Sequence, residues 1–244
     1  MTHTDDELFS RGAATLVASW EEYTRGSAGA ELVRPGGVAV AVFPSEPERG
    51  FFNNALLDRH LGPTERAAAV DAMEATYRAA GIDRYAAWIH ESDRDMRAEL
   101  RRRGYVLDQF TLAMGRSLDD VPVVPGGIEL GTPDWAEYLR IIEVPGLFGE
   151  ADPSAFHVLA ARLDGEHVAA AMAFDHEGDC GVFNVTTAAG ARRRGLGTAL
   201  TARHLLDAGR RGCSTASLQS TEMAEGVYAS VGFRDLGRFL EFVP

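Results

Sequence analysis

Residues 182–200 read "VFNVTTAAGARRRGLGTAL". An apolar, β-branched run passes through a small-residue turn and three arginines into a glycine pair, and an amphipathic helical pattern continues to about residue 211. Gly195 and Gly197 therefore fall where a strand-to-helix turn becomes the first helical turn. Backbone N–H groups there have no intrahelical partner, and the helix dipole is positive. Glycines let an anion approach that backbone without a Cβ in the way, and Arg192, Arg193 and Arg194 add charge. Two better-known phosphate patterns do not fit. G-x-x-x-x-G-K-[ST] needs a lysine, and all 24 basic residues are arginine. G-x-G-x-x-G needs a third glycine where Leu200 stands. What remains is Arg192-x-x-Gly195-x-Gly197. A second arginine run, "LRRRGYVL" at 100–107, comes at the end of a helical pattern, where carbonyls point outward and cations are welcome.

The pattern around the loop occurs in outline twice. Phe52-Asn53 and Phe183-Asn184 each lie in a strand-like run, at nearly equal distances after the apolar strands beginning at Val38 and Val168. Each leads to a long helical pattern, 64–80 and 191–211, ending near Gly81 and Gly212 as helix C-caps. Strands "RYAAWIHES" and "TASLQST" follow, then short helices at 93–103 and 222–230, then a glycine, an aromatic and a last strand. This alternation predicts an α/β (α+β layered) fold with two mixed-sheet units and helices on both faces. The expected domains are 1–117, a linker at 118–130 rich in Pro and Gly, and 131–244.

Composition narrows the function classes. The 244 residues carry a net charge of −12. Residues 1–120 hold 20 acids and 14 arginines and residues 121–244 hold 16 and 10, so each half is −6. Such a field repels nucleic acid. No apolar run approaches the roughly 20 residues that span a bilayer. The opening "MTHTDDELF" has no apolar signal region, so a cytoplasmic protein is expected. Cys180 and Cys213 are far apart in sequence, and the seven histidines show no ligand spacing, so no metal is expected.

"FNVTTAAGARRRGLGTAL", "TASLQST" and "EMAEGVYASVGF" together resemble the GNAT superfamily of N-acetyltransferases over about 128–244. The resemblance implies a strand with a bulge, an [RQ]-x-x-G-x-[GA] loop, and a helix whose tyrosine precedes Gly-Phe. It implies acetyl-CoA as co-substrate, its pyrophosphate on the loop of Arg192, Arg193, Arg194, Gly195, Leu196, Gly197 and Thr198. The pantetheine arm would pair with the strand at Val185, Thr186 and Thr187. Tyr228 matches the tyrosine that protonates the departing thiolate. Many members carry an asparagine seven residues before that tyrosine; this chain has Thr221, whose hydroxyl still donates a hydrogen bond.

Acetyl transfer to an amine requires a polarised thioester carbonyl, which the Val185 amide can serve as oxyanion donor. A phenol and a thiolate have pKa values within a few units, which suits Tyr228 as general acid. The general base stays open among Glu143, Glu150, Asp175, His176, Glu222 and a water relay. In the first copy the loop position is "DRHLGPTERAAAV", with one glycine followed by Pro63, and Leu100 stands where Tyr228 does, so that half is expected to be degenerate for cofactor binding. The expected acceptor is an amine of a small molecule or peptide, and the expected assembly a monomer or homodimer. A non-catalytic acyl-CoA sensor, and an enzyme using a longer acyl donor, stay open as alternatives.

Overall fold

The computed structural model describes residues 3–45, 52–120, 122–143 and 151–244. The chain forms two compact units, and neither is one continuous stretch. One comprises residues 1–18 and 112–236, the other 19–111 and 237–244.

The first unit holds most of the sequence features singled out above. Its sheet runs, by neighbouring strands, β5 (Val106–Ser117, from Leu112 onward in this unit), β10 (Thr215–Ser220), β9 (Asp179–Thr187), β8 (Glu166–His176), β7 (His157–Leu163) and β6 (Glu129–Gly131). All neighbours are antiparallel except β9 and β10. A parallel pair needs a crossover, which α5 (Leu196–Arg211) supplies. Side chains alternate across a strand, so Ala169, Ala171 and Ala173 of β8 meet Leu196, Leu200, Ala202 and Leu205 of α5. On the other face, Phe174 touches Phe156, which stacks on Trp135 of α4 (Trp135–Ile142). The run "AAAMA" at 169–173 is fully buried, because helices cover both faces. The helical pattern expected at 191–211 starts at Leu196, after a 3-10 turn at Ala189–Ala191 and a glycine N-cap. The one at 222–230 divides into a 3-10 turn, Glu222–Ala224, and α6 (Glu225–Ala229).

A helix that the repeat pattern does not contain, α1 (Asp5–Arg25), contributes its first turns to this unit. Its start is a reciprocal capping box. The Glu7 amide donates to Thr4 Oγ1 at 3.2 Å, and the Thr4 amide donates to Glu7 Oε2 at 2.7 Å. Thr15 of α1 donates to the buried Asp179 carboxylate at 2.8 Å. Thr215 and Ser217 of β10 donate to the same group at 2.6 Å each.

In the second unit the order is β1 (Glu31–Val33), β2 (Val38–Val42), β3 (Asn54–Leu57), β4 (Ala86–His90) and β11 (Arg234–Val243, from Gly237 onward). Only β3 and β4 are parallel, joined through α2 (Pro63–Ala79). α2 and α3 (Arg94–Arg102) bring Met73, Tyr77, Met96 and Leu100 onto Val40, Ala55, Ile89 and Phe242. Arg103 ends the second arginine run by binding Glu99 at 2.7 Å, Asp71 at 2.6 Å and the Ala67 carbonyl at 3.1 Å. These bonds staple α3 to α2. Among the described residues no helix is long and apolar enough to cross a membrane.

Replacing Asp179 by Ala orphans three hydroxyls at one buried point. We expect it to lower stability by about 3 kcal/mol, read as a shifted urea midpoint, with Thr15→Val costing less. His204 on α5 is fully buried and its pKa falls to about 4, chiefly because burial disfavours the imidazolium. The unfolded state therefore takes up this proton first, near pH 6.5. The contribution of neutral His204 is complete above that pH and is lost as pH falls towards 4, by about 3 kcal/mol in all. Urea midpoints between pH 7 and 4 should fall less steeply in His204→Gln than in the parent.

Candidate active site

β9 begins as an ordinary inner strand and does not end as one. Its parallel pairing with β10 covers Thr215↔Asp179, Ala216↔Cys180 and Ser217↔Gly181, then stops, although both strands continue. On its other edge β9 stays paired with β8, but between Phe183 and Thr186 it takes three steps where β8 takes two. The extra residue makes a β-bulge, and Asn184 adopts the left-handed region at φ 53°. The result is a strand with one hydrogen-bonding edge free of β10 at Val185, Thr186 and Thr187, all three half-buried.

The chain leaves this strand through Ala188–Arg194, where Arg192 Nε donates back to the Thr187 carbonyl at 3.2 Å. Arg193 turns left-handed at φ 63°, and Gly195 caps α5 at φ 77°. At Gly195 only glycine holds that backbone without strain. The first helical bond of α5 runs from the Ala199 amide to the Gly195 carbonyl at 2.9 Å. The amides of Leu196, Gly197 and Thr198 have no backbone acceptor among the described residues. Arg192, Arg193 and Arg194 are exposed. Gly197 faces inward: a Cβ there would lie 3.7 Å from Val185 of β9 and 3.7 Å from Val227 of α6. One glycine thus joins the free strand edge, the unclaimed amides and the helix that carries Tyr228. Such a start can hold a pyrophosphate-sized anion.

Tyr228 is buried with Val182, Leu218 and Phe233, its ring edge-on to Phe233 at 6.2 Å between centroids. Burial alone pushes its phenol up to about 12, so it is a protonated donor throughout the neutral range. Thr221 is exposed where β10 passes into the 3-10 turn, and its carbonyl accepts from the Ala224 amide at 3.0 Å.

The acidic candidates separate. Asp175 is held by both nitrogens of Arg211, at 2.6 and 2.8 Å, beside the C-terminal end of α5 and away from the loop. His176 ends β8 at the same end of the sheet. Glu222 is exposed directly after Thr221. Glu143 caps α4 in a left-handed conformation, φ 56°, and Glu150 lies outside the described residues. In the second unit α2 begins differently from α5. The Gly62 amide donates to the Glu65 carboxylate at 2.9 Å, and Pro63 contributes no N–H. An acid of the chain itself occupies the anion position there, and Leu100 is core.

Residues 154–235 match the family model described as an acetyltransferase (GNAT) domain. Among solved structures, a GCN5-related N-acetyltransferase from Kribbella flavida is 20% identical. The match covers 95% of this chain and 94% of that one, with a TM-score of 0.73. A GCN5-related N-acetyltransferase from Sphaerobacter thermophilus is 15% identical, covering 99% and 93%, with a TM-score of 0.62. A tandem GNAT protein from the clavulanic acid biosynthesis pathway is 17% identical, covering 99% and 96%, with a TM-score of 0.59. At these identities the likeness is one of fold. A comparison with curated proteins finds no match.

The two glycines of the loop should respond oppositely to one methyl group. Gly195 sits at φ 77°, so Gly195→Ala should cost about 1 kcal/mol. A Cβ at Gly197 meets only ordinary contacts, so Gly197→Ala inside the helix should be neutral or stabilising by up to about 1 kcal/mol. Paired thermal melts distinguish them. Residues 154–235 are thus similar to an acetyltransferase (GNAT) domain, and the chain has the mixed α/β fold of these structures, with helices on both sides of the sheet.

Proposed function

We propose that the protein is an acetyl-CoA-dependent N-acetyltransferase that moves the acetyl group directly to an amine of a small molecule or peptide. The observation that carries this reading is the parting of β9 from β10 beyond Gly181 and Ser217, just before the glycine-started helix. A strand edge and a set of helix-start amides are thereby offered together.

Acetyl-CoA supplies an acyl carbon activated as a thioester, which an amine lone pair attacks as the carbon–sulfur bond breaks. In this reading the amides of Leu196, Gly197 and Thr198, with Arg192, Arg193 and Arg194 around them, hold the pyrophosphate. Val185, Thr186 and Thr187 give the pantetheine amides a strand to pair with, and Thr221 adds a hydroxyl at the facing strand end. The Val185 N–H steadies the carbonyl oxygen as it gains charge. Tyr228 delivers its phenolic proton to the leaving sulfur, and the proton of the attacking amine passes to solvent. The reading extends to a duplicated chain, 1–117 and 131–244 joined by 118–130, with the donor site in the second copy alone. The self-capped α2 and the apolar Leu100 support that division. The protein is read as cytoplasmic, working as a monomer or homodimer.

Calorimetry with acetyl-CoA and a thiol-release assay across polyamines, amino acids and aminoglycosides test the proposal. Gly195→Asp puts a carboxylate in the anion position and should abolish acetyl-CoA binding. Tyr228→Phe should keep binding and lower kcat about 100-fold or more. Absence of acetyl-CoA binding in the parent would overturn the reading. Binding without thiol release from any amine, unaffected by Tyr228→Phe, would make the protein a sensor.

A further inference from the structure

A cavity of about 550 Å³ lies at the C-terminal end of α2, wholly within the second unit and lined by residues that the acyl-transfer reading does not use. Two buried tyrosines line it, Tyr85 just before β4 and Tyr105 just before β5, and their hydroxyls share a hydrogen bond of 2.6 Å. Tyr77 stacks on Tyr85 with centroids 4.1 Å apart, which holds that ring in place. Ile82 and Pro244 add apolar lining. The carbonyls at this end of α2 are already taken. Those of Thr76, Arg78 and Tyr77 accept from the amides of Ala80, Gly81 and Ile82.

The charges at this cavity are mixed and do not close on one another. The lining holds two acids, Glu74 and Asp83, and two arginines, Arg78 and Arg103, so its summed charge favours neither a cation nor an anion. Glu74 and Arg78 stand four residues apart on α2, the spacing at which an acid and a base readily pair along a helix. They do not pair. Glu74 turns towards Arg103 and Tyr105, and Arg78 forms no ion pair or side-chain hydrogen bond among the described residues. Both contacts of Glu74 are long. Arg103 lies 3.5 Å away and has a nearer partner in Asp71 at 2.6 Å, and the Tyr105 hydroxyl donates across 3.5 Å. Well-formed bonds of these kinds end at about 3.0–3.2 Å. With Tyr105 directed at Glu74, Tyr85 is the donor within the tyrosine pair, and the lone pairs of its own oxygen meet no donor among the described residues. Burial raises the Tyr85 pKa, Glu74 adds to the rise and Arg78 offsets it, so charges of both signs face one protonated phenol.

We propose that this cavity binds a free α-amino acid with an apolar side chain, its ammonium at Glu74 and the Tyr85 oxygen and its carboxylate at Arg78. Such a molecule carries both charges on neighbouring atoms of one small frame, so it closes the open Glu74–Arg78 pair from outside the chain. A simple amine leaves Arg78 facing a cation, and a simple acid leaves Glu74 facing an anion. The side chain lies against Ile82 and Pro244, and a cavity of this volume admits it. The proposal does not rest on the acyl-transfer reading.

L-Leucine is the probe, titrated into the full-length protein by calorimetry and followed in amide spectra. Saturable binding is expected at millimolar concentration or below, with shifts centred on residues 74–85 and 103–105. Two analogues each lack one charge: 3-methylbutylamine has no carboxylate, and 4-methylpentanoate has no ammonium. Each should bind at least about ten-fold more weakly, the loss of one charge-assisted contact. Arg78→Gln should weaken leucine by a similar factor and leave 3-methylbutylamine unchanged. Glu74→Gln should weaken leucine and the amine without weakening 4-methylpentanoate; if that variant does not fold, Arg78→Gln at its exposed position carries the test. Acetyl-CoA affinity, measured in the same samples, should not move with Arg78→Gln. Any of three results would overturn the site: no saturation with leucine, an analogue that binds as tightly as leucine, or unchanged leucine affinity in either folded variant. Failure of acetyl-CoA binding with leucine binding intact would sink the acyl-transfer reading and leave this one standing.

Discussion

The buried carboxylate of Asp179 is the fixed point of the unit that carries the glycine loop. Parallel neighbours hydrogen-bond evenly along their length, so a pair that must separate halfway needs a reason to stay together at one end. Asp179 provides it by accepting from Thr215 and Ser217 of β10 and from Thr15 of α1. Pairing begins at that residue and ends two positions later. Beyond it lies the Asn184 bulge, which increases local twist and turns β9 away from β10. A charge clamped at the root and a bulge in the middle make the free edge at Val185–Thr187.

The same carboxylate accounts for the way the chain divides. Residues 1–18 belong to the unit formed by 112–236, although 19–111 intervene. Thr15 reaches Asp179, and Arg11 donates to Thr215 at 2.8 Å and to the Glu177 carbonyl at 2.9 Å. Gly12 lies so close to Ser217 that a Cβ would come within 2.7 Å of its side chain. These are long-range contacts, and no local pattern encodes them. α1 is legible only in part. "THTDDELF" carries a Thr-x-x-Glu capping box, which the structure shows made in both directions. The repeat pattern starts later and gives no reason to expect a helix there. Which partner that helix chooses depends on Thr15 and Arg11, ordinary residues in a sequence.

Features resting on backbone conformation are the more readable ones. Gly195 and Gly212 take left-handed conformations at the two ends of α5, where the glycine pattern puts helix boundaries. The bulge is readable as a resemblance only, because asparagine is one of the few residues at ease at positive φ and yet most asparagines do not adopt it. Asn53, its counterpart in the proposed repeat, is instead fully buried, its side-chain Oδ1 accepting from the Phe43 amide at 2.8 Å. Likewise Asp175 reads as a candidate base until Arg211, distant in sequence, is seen to hold both its oxygens.

The two arginine runs show why direction along a helix outweighs composition. "RRR" at 101–103 ends α3, and its last member spends all three guanidinium nitrogens on Glu99, Asp71 and the Ala67 carbonyl. "RRR" at 192–194 precedes α5, where Arg192 turns back to the Thr187 carbonyl and all three side chains are exposed. A cation at a helix C-terminus is already satisfied by carbonyls and the dipole. Placed before a helix N-terminus, it adds to a positive end and is left for something outside the chain. The contrast between α2 and α5 follows the same logic from the anion's side. Glu65 brings the chain's own carboxylate to the start of α2, while the first turn of α5 contains no acid. A helix start that the protein neutralises for itself has no capacity left for a phosphate, and one flanked by exposed guanidinium groups has that capacity built in.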